Sequence, residues 1–190
     1  MNVVNGHAHA HYGYGAVTAK YFFNLLKDVI ETKRRGYLSL NAHLPFEVQH
    51  PKYYPRLKIG LKYIRFGEIL KKLFQVKLCW ENAPAQKETN RLWSLKHSQT
   101  DWDKIPKNID LTLDTGHLML GAKTINEARV RIEKILNQRG QQIKHLHLHE
   151  NDLVHDTHES VGKVIDKKLL IKLTKNRTYI FEKGVAQEDW

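Results

Sequence analysis

A polar or ionisable residue closes a short apolar strand pattern once every 33–38 positions along this chain, at His9, His43, Glu81, Asp114, His147 and Glu182. Helix-period segments separate most of these strands, and such alternation specifies a parallel sheet built from right-handed βαβ units. Residues at the C-terminal ends of parallel strands meet at one mouth when the sheet closes into a barrel. An open doubly wound sheet brings only its switch-point strands to a common site. The expected fold is therefore α/β, a (β/α) barrel of the TIM type, in which six βα units are visible.

The local patterns give each unit its parts. His7, His9 and His11 alternate with small or apolar residues from Val3 to Tyr12, a strand running into Gly13-Tyr-Gly15. Tyr21, Phe22, Leu25, Leu26, Val29 and Ile30 recur at helical spacing between Thr18 and Arg35. Leu38, Leu40 and Ala42 form one face of the next strand, which Pro45 closes. After Pro51 and Pro55, a second helix uses Leu61, Ile64, Ile69, Leu70, Leu73 and Phe74, and Val76–Asn82 is a strand ending at Glu81. Residues 84–107 are the least periodic and read as a partly helical excursion carrying Trp93 and Trp102. Ile109–Asp114 is a strand that turns through Thr115-Gly-His117, and Thr124 with Glu127 has capping-box spacing before a helix. Asp166 caps a short helix through Leu173, ahead of the strand Thr178–Glu182.

Chemistry is densest at Ile143–His158, where five histidines stand with Glu150, Asp152 and Asp156 in sixteen residues. At strand period, His145, His147 and His149 share one face, with Leu146 and Leu148 on the other. Imidazoles mixed with carboxylates suit divalent ions such as Zn, Mn, Co or Fe, and Asp156-x-His158 adds further donors.

Length and composition bound the rest. The chain has 190 residues, 41% hydrophobic and 27% charged, as expected for one globular domain over 1–190. No apolar run approaches the ~20 residues of a membrane span. The N-terminus has neither the basic nor the apolar region of a signal peptide, so a cytoplasmic location is expected. A single cysteine, Cys79, excludes an intrachain disulfide and reads as a buried thiol. The net charge of +11 suits a polyanionic partner or a phosphorylated substrate, although the basic residues are spread along the whole chain.

Three motifs, Trp80-Glu-Asn82, Leu113-Asp-Thr-Gly-His117 and His147-Leu-His-Glu-Asn151 followed by Asp156-Thr-His158, resemble those of the xylose-isomerase-like TIM barrels. That superfamily holds sugar and sugar-phosphate isomerases and epimerases together with apurinic-site nucleases of the endonuclease IV type. The resemblance runs from His9 to Glu182. It implies a metal set of Glu81, Asp114, His147 and Glu182, which the nuclease branch extends with His9, His43, His117, Asp156 and His158. His7 and His11 compete with His9 for the first position. Glu150 stands where many relatives have Asp, and Val164 replaces the second glycine of a Gly-x-Gly. His145 and His149 are expected to pack or support rather than ligate.

The resemblance implies one to three divalent ions (Zn, Mn, Co or Mg) and a small-molecule sugar or sugar-phosphate substrate. Glu81 and Glu182 would move the proton through an enediolate. Two other functions are expected to compete with it: a zinc-dependent apurinic/apyrimidinic endonuclease with DNA as partner, and a truncated, non-catalytic metal-binding barrel. The family's first two strands have no counterpart here. An open barrel exposes two strand edges, so either a homodimer covering that gap or a truncated gene is expected.

Overall fold

In the computed structural model the described residues are 2–4, 7–9, 19–44, 54–82, 87–88, 91–92, 102 and 105–183. They belong to two compact units, Met1–Glu81 and Asn82–Trp190. Among the described residues, no helix is long and apolar enough to cross a membrane.

In the first unit, β1 (Asn2–Val4) pairs antiparallel with β2 (His7–His9), and β2 pairs parallel with β3 (Ser39–His43), which pairs parallel with β4 (Leu78–Glu81). The single strand expected from Val3 onward is thus two strands, separated in sequence by Asn5-Gly6, a dipeptide that hairpins favour. Every residue of β4 is buried, as both faces of a helix-covered parallel sheet must be. Register puts His43 level with Glu81, while His9 is level with Asn41. The loop glycines Gly13 and Gly15, the alternative first-ligand residue His11, and Tyr12 and Trp93 lie outside the described residues, as does the side chain of His9.

Helices α1 (Ala19–Arg35) and α2 (Tyr54–Phe74) belong to this unit. Pro55 falls in the first turn of α2, where its missing N–H is no loss. The buried face of α1 is Leu25, Asp28, Val29 and Thr32, rotated from the expected stripe so that Ile30 is exposed and a carboxylate faces inward. In α2 the buried positions are Gly60, Tyr63, Ile64, Gly67 and Leu70, while Ile69 and Leu73 are exposed. Gly67 is where Trp80 packs, since a Cβ there would overlap its ring. Phe22, Tyr63 and Trp80 form an edge-to-face series with centroids 5.2 and 5.6 Å apart. The Trp80 indole N–H donates to Glu68 at 2.9 Å, which makes it core rather than a pocket wall.

In the second unit, a short antiparallel pair, β5 (Lys87–Glu88) with β6 (Arg91–Leu92), lies where a partly helical excursion was expected. Three strands, β7 (Leu111–Asp114), β8 (Ile143–Leu148) and β9 (Thr178–Phe181), run parallel in that order. Helix α3 (Thr115–Met119) follows β7 directly, α4 (Ile125–Arg139) lies between β7 and β8, and α5 (Lys167–Thr174) precedes β9. The Thr124 and Asp166 caps form as the sequence indicates, accepting from Glu127 and Leu169. Trp102 is buried, and its carbonyl accepts from Arg139. The Arg177 guanidinium donates to carbonyls of Gly140, Ile143 and Leu173, joining the ends of α4 and α5 to the foot of β8.

Burial pushes the Asp28 carboxyl up from 3.8 to about 6. A carboxyl raised in the folded state adds stability below its unfolded pKa and loses it as pH rises through the folded one. Asp28→Asn is therefore expected to stabilise the protein more at pH 7.5 than at pH 4, by a difference on the order of 3 kcal/mol. Denaturant melts of both proteins at the two pH values measure this. Gly67→Ala is expected to cost about 1–3 kcal/mol by overpacking Trp80, read as a lower thermal midpoint with quenched or shifted tryptophan emission.

Candidate metal centre

Asp114 occupies two structural roles at once. It is the last residue of β7 and the N-cap of α3, where its Oδ1 accepts from the His117 amide at 2.8 Å. The Asn82 side chain clamps its backbone from both sides, Nδ2 donating to Asp114 O at 2.9 Å and Oδ1 accepting from Asp114 N at 2.8 Å. The Asn82 carbonyl also takes the His117 Nδ1 hydrogen at 2.7 Å, so His117 presents Nε2, which lies 3.3 Å from Asp156 Oδ2. This explains the Trp80-Glu-Asn82 motif from the asparagine onward: it fixes the Asp114 backbone and the His117 tautomer.

The end of β8 is set by register and by one hydroxyl. His147 is level with Asp114 on β7 and with Ile180 on β9. Thr115 Oγ1 lies 3.2 and 2.8 Å from the carbonyls of His147 and His149, and accepts from the His149 amide at 3.2 Å. Asn151 donates to Gly116 O at 2.7 Å. Glu182 follows β9 directly, its amide donating to Leu148 O, which brings its side chain to the His147 end of the strand.

These constraints gather seven side chains in the second unit. His147 Nδ1 lies 3.7 Å from Asp114 Oδ2 and 3.2 Å from Glu182 Oε1. His149 Nε2 lies 2.9 Å from Asp114 Oδ1 and 3.4 Å from Glu182 Oε2, and His158 Nδ1 lies 2.9 Å from that same oxygen. His158 Nε2 is 3.5 Å from Asp156 Oδ2, and the His149 and His158 rings stack at 4.2 Å. In the first unit, His43 Nε2 lies 3.6 Å from the buried Glu81 Oε1.

His149 lies closer to the carboxylates than the strand pattern alone indicates, with Nε2 2.9 Å from Asp114 Oδ1. It was expected to pack or support, and its ring is buried with Nε2 among the carboxylates. The period-2 pattern had already put it on the face of His147. What the sequence concealed is the missing Cβ at Gly116, which leaves room for the ring. Two other histidines of the run do not join. His145 Nδ1 bonds the Thr178 hydroxyl at 2.8 Å, and the exposed His155 pairs with Asp152, pulling that carboxyl down to about 2.

Glu150 is a structural anchor. Its carboxylate accepts from the amides of Gly162, Lys163, Val164 and Ile165 at 2.7–3.1 Å, and its backbone bridges Glu159. Lys163 bonds Glu159 at 3.0 Å.

Electrostatics at the cluster favour anionic carboxylates. Burial would raise the Asp114 carboxyl, but the charge of His117 and the imidazoles of His147 and His149 outweigh it and hold it well below the usual range. Burial would also lower the His149 imidazole, but Asp114 and Glu182 leave it raised. Asp156 is lowered because His117 and His158 overcome its desolvation.

The residues fit a divalent cation. Asp114 Oδ2, Asp156 Oδ1 and Glu182 Oε2 are buried and accept no hydrogen bond among the described residues, a costly state for carboxylate oxygens unless a cation compensates it. Several imidazole nitrogens surround them, the donor mixture that zinc and its neighbours take.

No protein-family model matches the chain, and neither does any curated protein. Solved structures do match. A D-tagatose 3-epimerase-like protein aligns at TM-score 0.67 and 16% identity, over 96% of this chain and 72% of that one. The chain has the fold of that epimerase-like protein. It is an incomplete α/β barrel of the TIM type, as the strand-end spacing indicated. A Thermus thermophilus protein soaked with zinc chloride matches the barrel at TM-score 0.63 and 15% identity, over 95% of this chain and 71% of that one. The apo 3-keto-D-glucoside 4-epimerase of E. coli matches at 0.57 and 12%, over 96% and 73%.

Gly116→Ala would bring a Cβ to 2.6 Å from His149 Nε2. The imidazole is expected to be displaced and zinc affinity to fall by about 10–100-fold, measured by competition with a chromogenic chelator. An unchanged affinity in a folded variant would place His149 outside the donor set.

Proposed function

We propose that this protein is a divalent-metal-dependent sugar or sugar-phosphate isomerase or epimerase. The observation that carries the reading is the convergence of Asp114, His147 and Glu182 at adjacent strand ends, with Glu182 Oε1 3.2 Å from His147 and an Asp114 oxygen that accepts no hydrogen bond among the described residues. It is supported by the fold likeness to proteins named as sugar epimerases and by a zinc-soaked relative of the same fold.

Asp114, His147 and Glu182 would hold the ion. A bound divalent ion would polarise neighbouring sugar oxygens and stabilise the negative charge that develops when a proton leaves the carbon between them. The chain's own residues do the rest. Asn82 and Thr115 fix the Asp114 backbone and the end of β8, so the donors are preorganised by hydrogen bonds rather than by the ligand. Glu182 is partly exposed, at 18% of its side chain, whereas Asp114 is sealed at 1%. A carboxylate that meets both the donor cluster and solvent is placed to take a substrate proton and return it. Glu81 enters as the second proton-transfer carboxylate on the resemblance, and His9, His43, His117, Asp156 and His158 as further metal ligands on the same ground.

The test is a panel of ketoses, their phosphates and an abasic-site duplex, assayed with chelated protein and after return of zinc, manganese, cobalt or magnesium. Epimerisation or isomerisation is expected, lost on chelation and restored by one of these ions. Glu182→Gln and Glu81→Gln are each expected to lower kcat by about 100-fold or more with little change in KM. Metal-dependent nicking of the duplex, with every sugar untouched, would replace this reading by a phosphodiesterase one.

A further inference from the structure

The outward faces of α1 and α2 form one surface of the first unit. The two helices lie side by side, with the Phe22 ring 5.2 Å from that of Tyr63 and 5.4 Å from that of Phe66, and they pack on β3 and β4. In α1, Leu25, Val29 and Thr32 are buried, and Phe23, Lys27, Ile30 and Arg34, at helical spacing, form the opposite stripe. In α2, Tyr63, Ile64, Gly67 and Leu70 are buried, and Lys58, Lys62, Arg65, Ile69, Lys72 and Leu73 form the stripe away from them. Phe23, Ile30, Ile69 and Leu73 are 43–70% exposed.

Neither stripe carries an acid. The acids of α1 are Asp28, which is buried, and Glu31, which pairs with Arg34 and Arg35 beside the stripe. The one acid of α2, Glu68, accepts from the Trp80 indole and lies 3.6 Å from Lys71. Lys27 holds its ammonium 4.6 Å from the centre of the Phe23 ring, so cation and ring form a single patch. The phosphates of a nucleic acid would reward such cations, but a duplex offers Ile69 and Leu73 no apolar surface. Base stacking uses aromatic rings, of which these stripes carry Phe23 alone. A second copy docked face to face would set cation against cation. An anionic bilayer accommodates both kinds of side chain, because ammonium and guanidinium groups sit among its headgroups while apolar side chains enter the acyl boundary.

We propose that the α1–α2 face binds the surface of membranes rich in anionic phospholipid, lying on the bilayer rather than crossing it. Lys27, Lys58, Lys62, Arg65 and Lys72 supply the attraction, and Phe23, Ile30, Ile69 and Leu73 enter the interface. Stable attachment takes two signals, and this face carries both charge and apolar area. No residue of the face belongs to the metal cluster, so attachment is separable from the reaction proposed above.

The experiment is co-sedimentation of the full chain with vesicles of phosphatidylcholine, with and without phosphatidylserine, at low and high salt. Binding is expected only where phosphatidylserine is present, and more weakly at high salt; neither comparison needs a variant. Lys62→Gln with Arg65→Gln removes two cations and is expected to lower the partition coefficient by about 30-fold. Lys167→Gln with Lys168→Gln removes the same charge from exposed positions on α5 and is expected to leave binding unchanged. Ile69→Ser with Leu73→Ser is expected to weaken binding by about 10-fold or more at either salt. Circular dichroism confirms that each variant folds. Absence of binding to phosphatidylserine vesicles, equal binding to both lipids, an equal loss in the α5 pair, or full binding by the serine variant would overturn the proposal. So would a chain that ignores vesicles but binds duplex DNA through Lys62 and Arg65, which would make this a nucleic-acid face.

Discussion

A buried carboxylate that must remain an anion organises the second unit. Asp114 is sealed from solvent, where an unpaired charge costs several kcal/mol. Its surroundings answer that cost with the His117 amide, the His149 ring and the dipole at the start of α3 on Oδ1. Oδ2 faces His117 and His147 and, among the described residues, accepts no hydrogen bond. The residues that serve Asp114 are themselves fixed by others. Asn82 holds its backbone, Thr115 holds the end of β8, and Asn151 holds α3 through Gly116. Substitution of any of these acts on the donor set through geometry rather than by removing a ligand.

Parallel pairing converts sequence spacing into position. Because β7 and β8 run in register with Asp114 level with His147, and β9 carries Glu182 one residue past its end, three strand ends deliver their polar groups to one place. In the first unit the same rule sets His43 level with Glu81. The loop after β8 adds Asp156 and His158, and its return is anchored by four amides on the Glu150 carboxylate. A charged acceptor with this many backbone donors orders the irregular segment that carries Asp156 and His158, which side-chain packing alone does poorly.

The sequence was least informative where small residues and polar core positions decide the packing. The apolar stripe of α1 pointed to Ile30, but the buried face includes Asp28 and Thr32, whose hydroxyl bonds the Asp28 carbonyl. In α2 the centre of the buried face is a glycine, chosen by the width of Trp80 rather than by hydrophobicity. The β1–β2 pair and the short β5–β6 pair were missed because strands of two or three residues carry almost no periodic signal.

The sequence by itself determined the architecture and which polar residues stand at the strand ends. The βα repeat fixes a parallel sheet, and a polar residue at each strand end fixes where chemistry collects, because side-chain alternation and chain direction are local properties. Only the tertiary structure decided which histidines join. His145, His147 and His149 are equivalent in the pattern, yet Thr178 takes the first, Asp114 and Glu182 flank the second, and the gap at Gly116 admits the third. Those outcomes depend on contacts between residues more than thirty positions apart, and no local period encodes them.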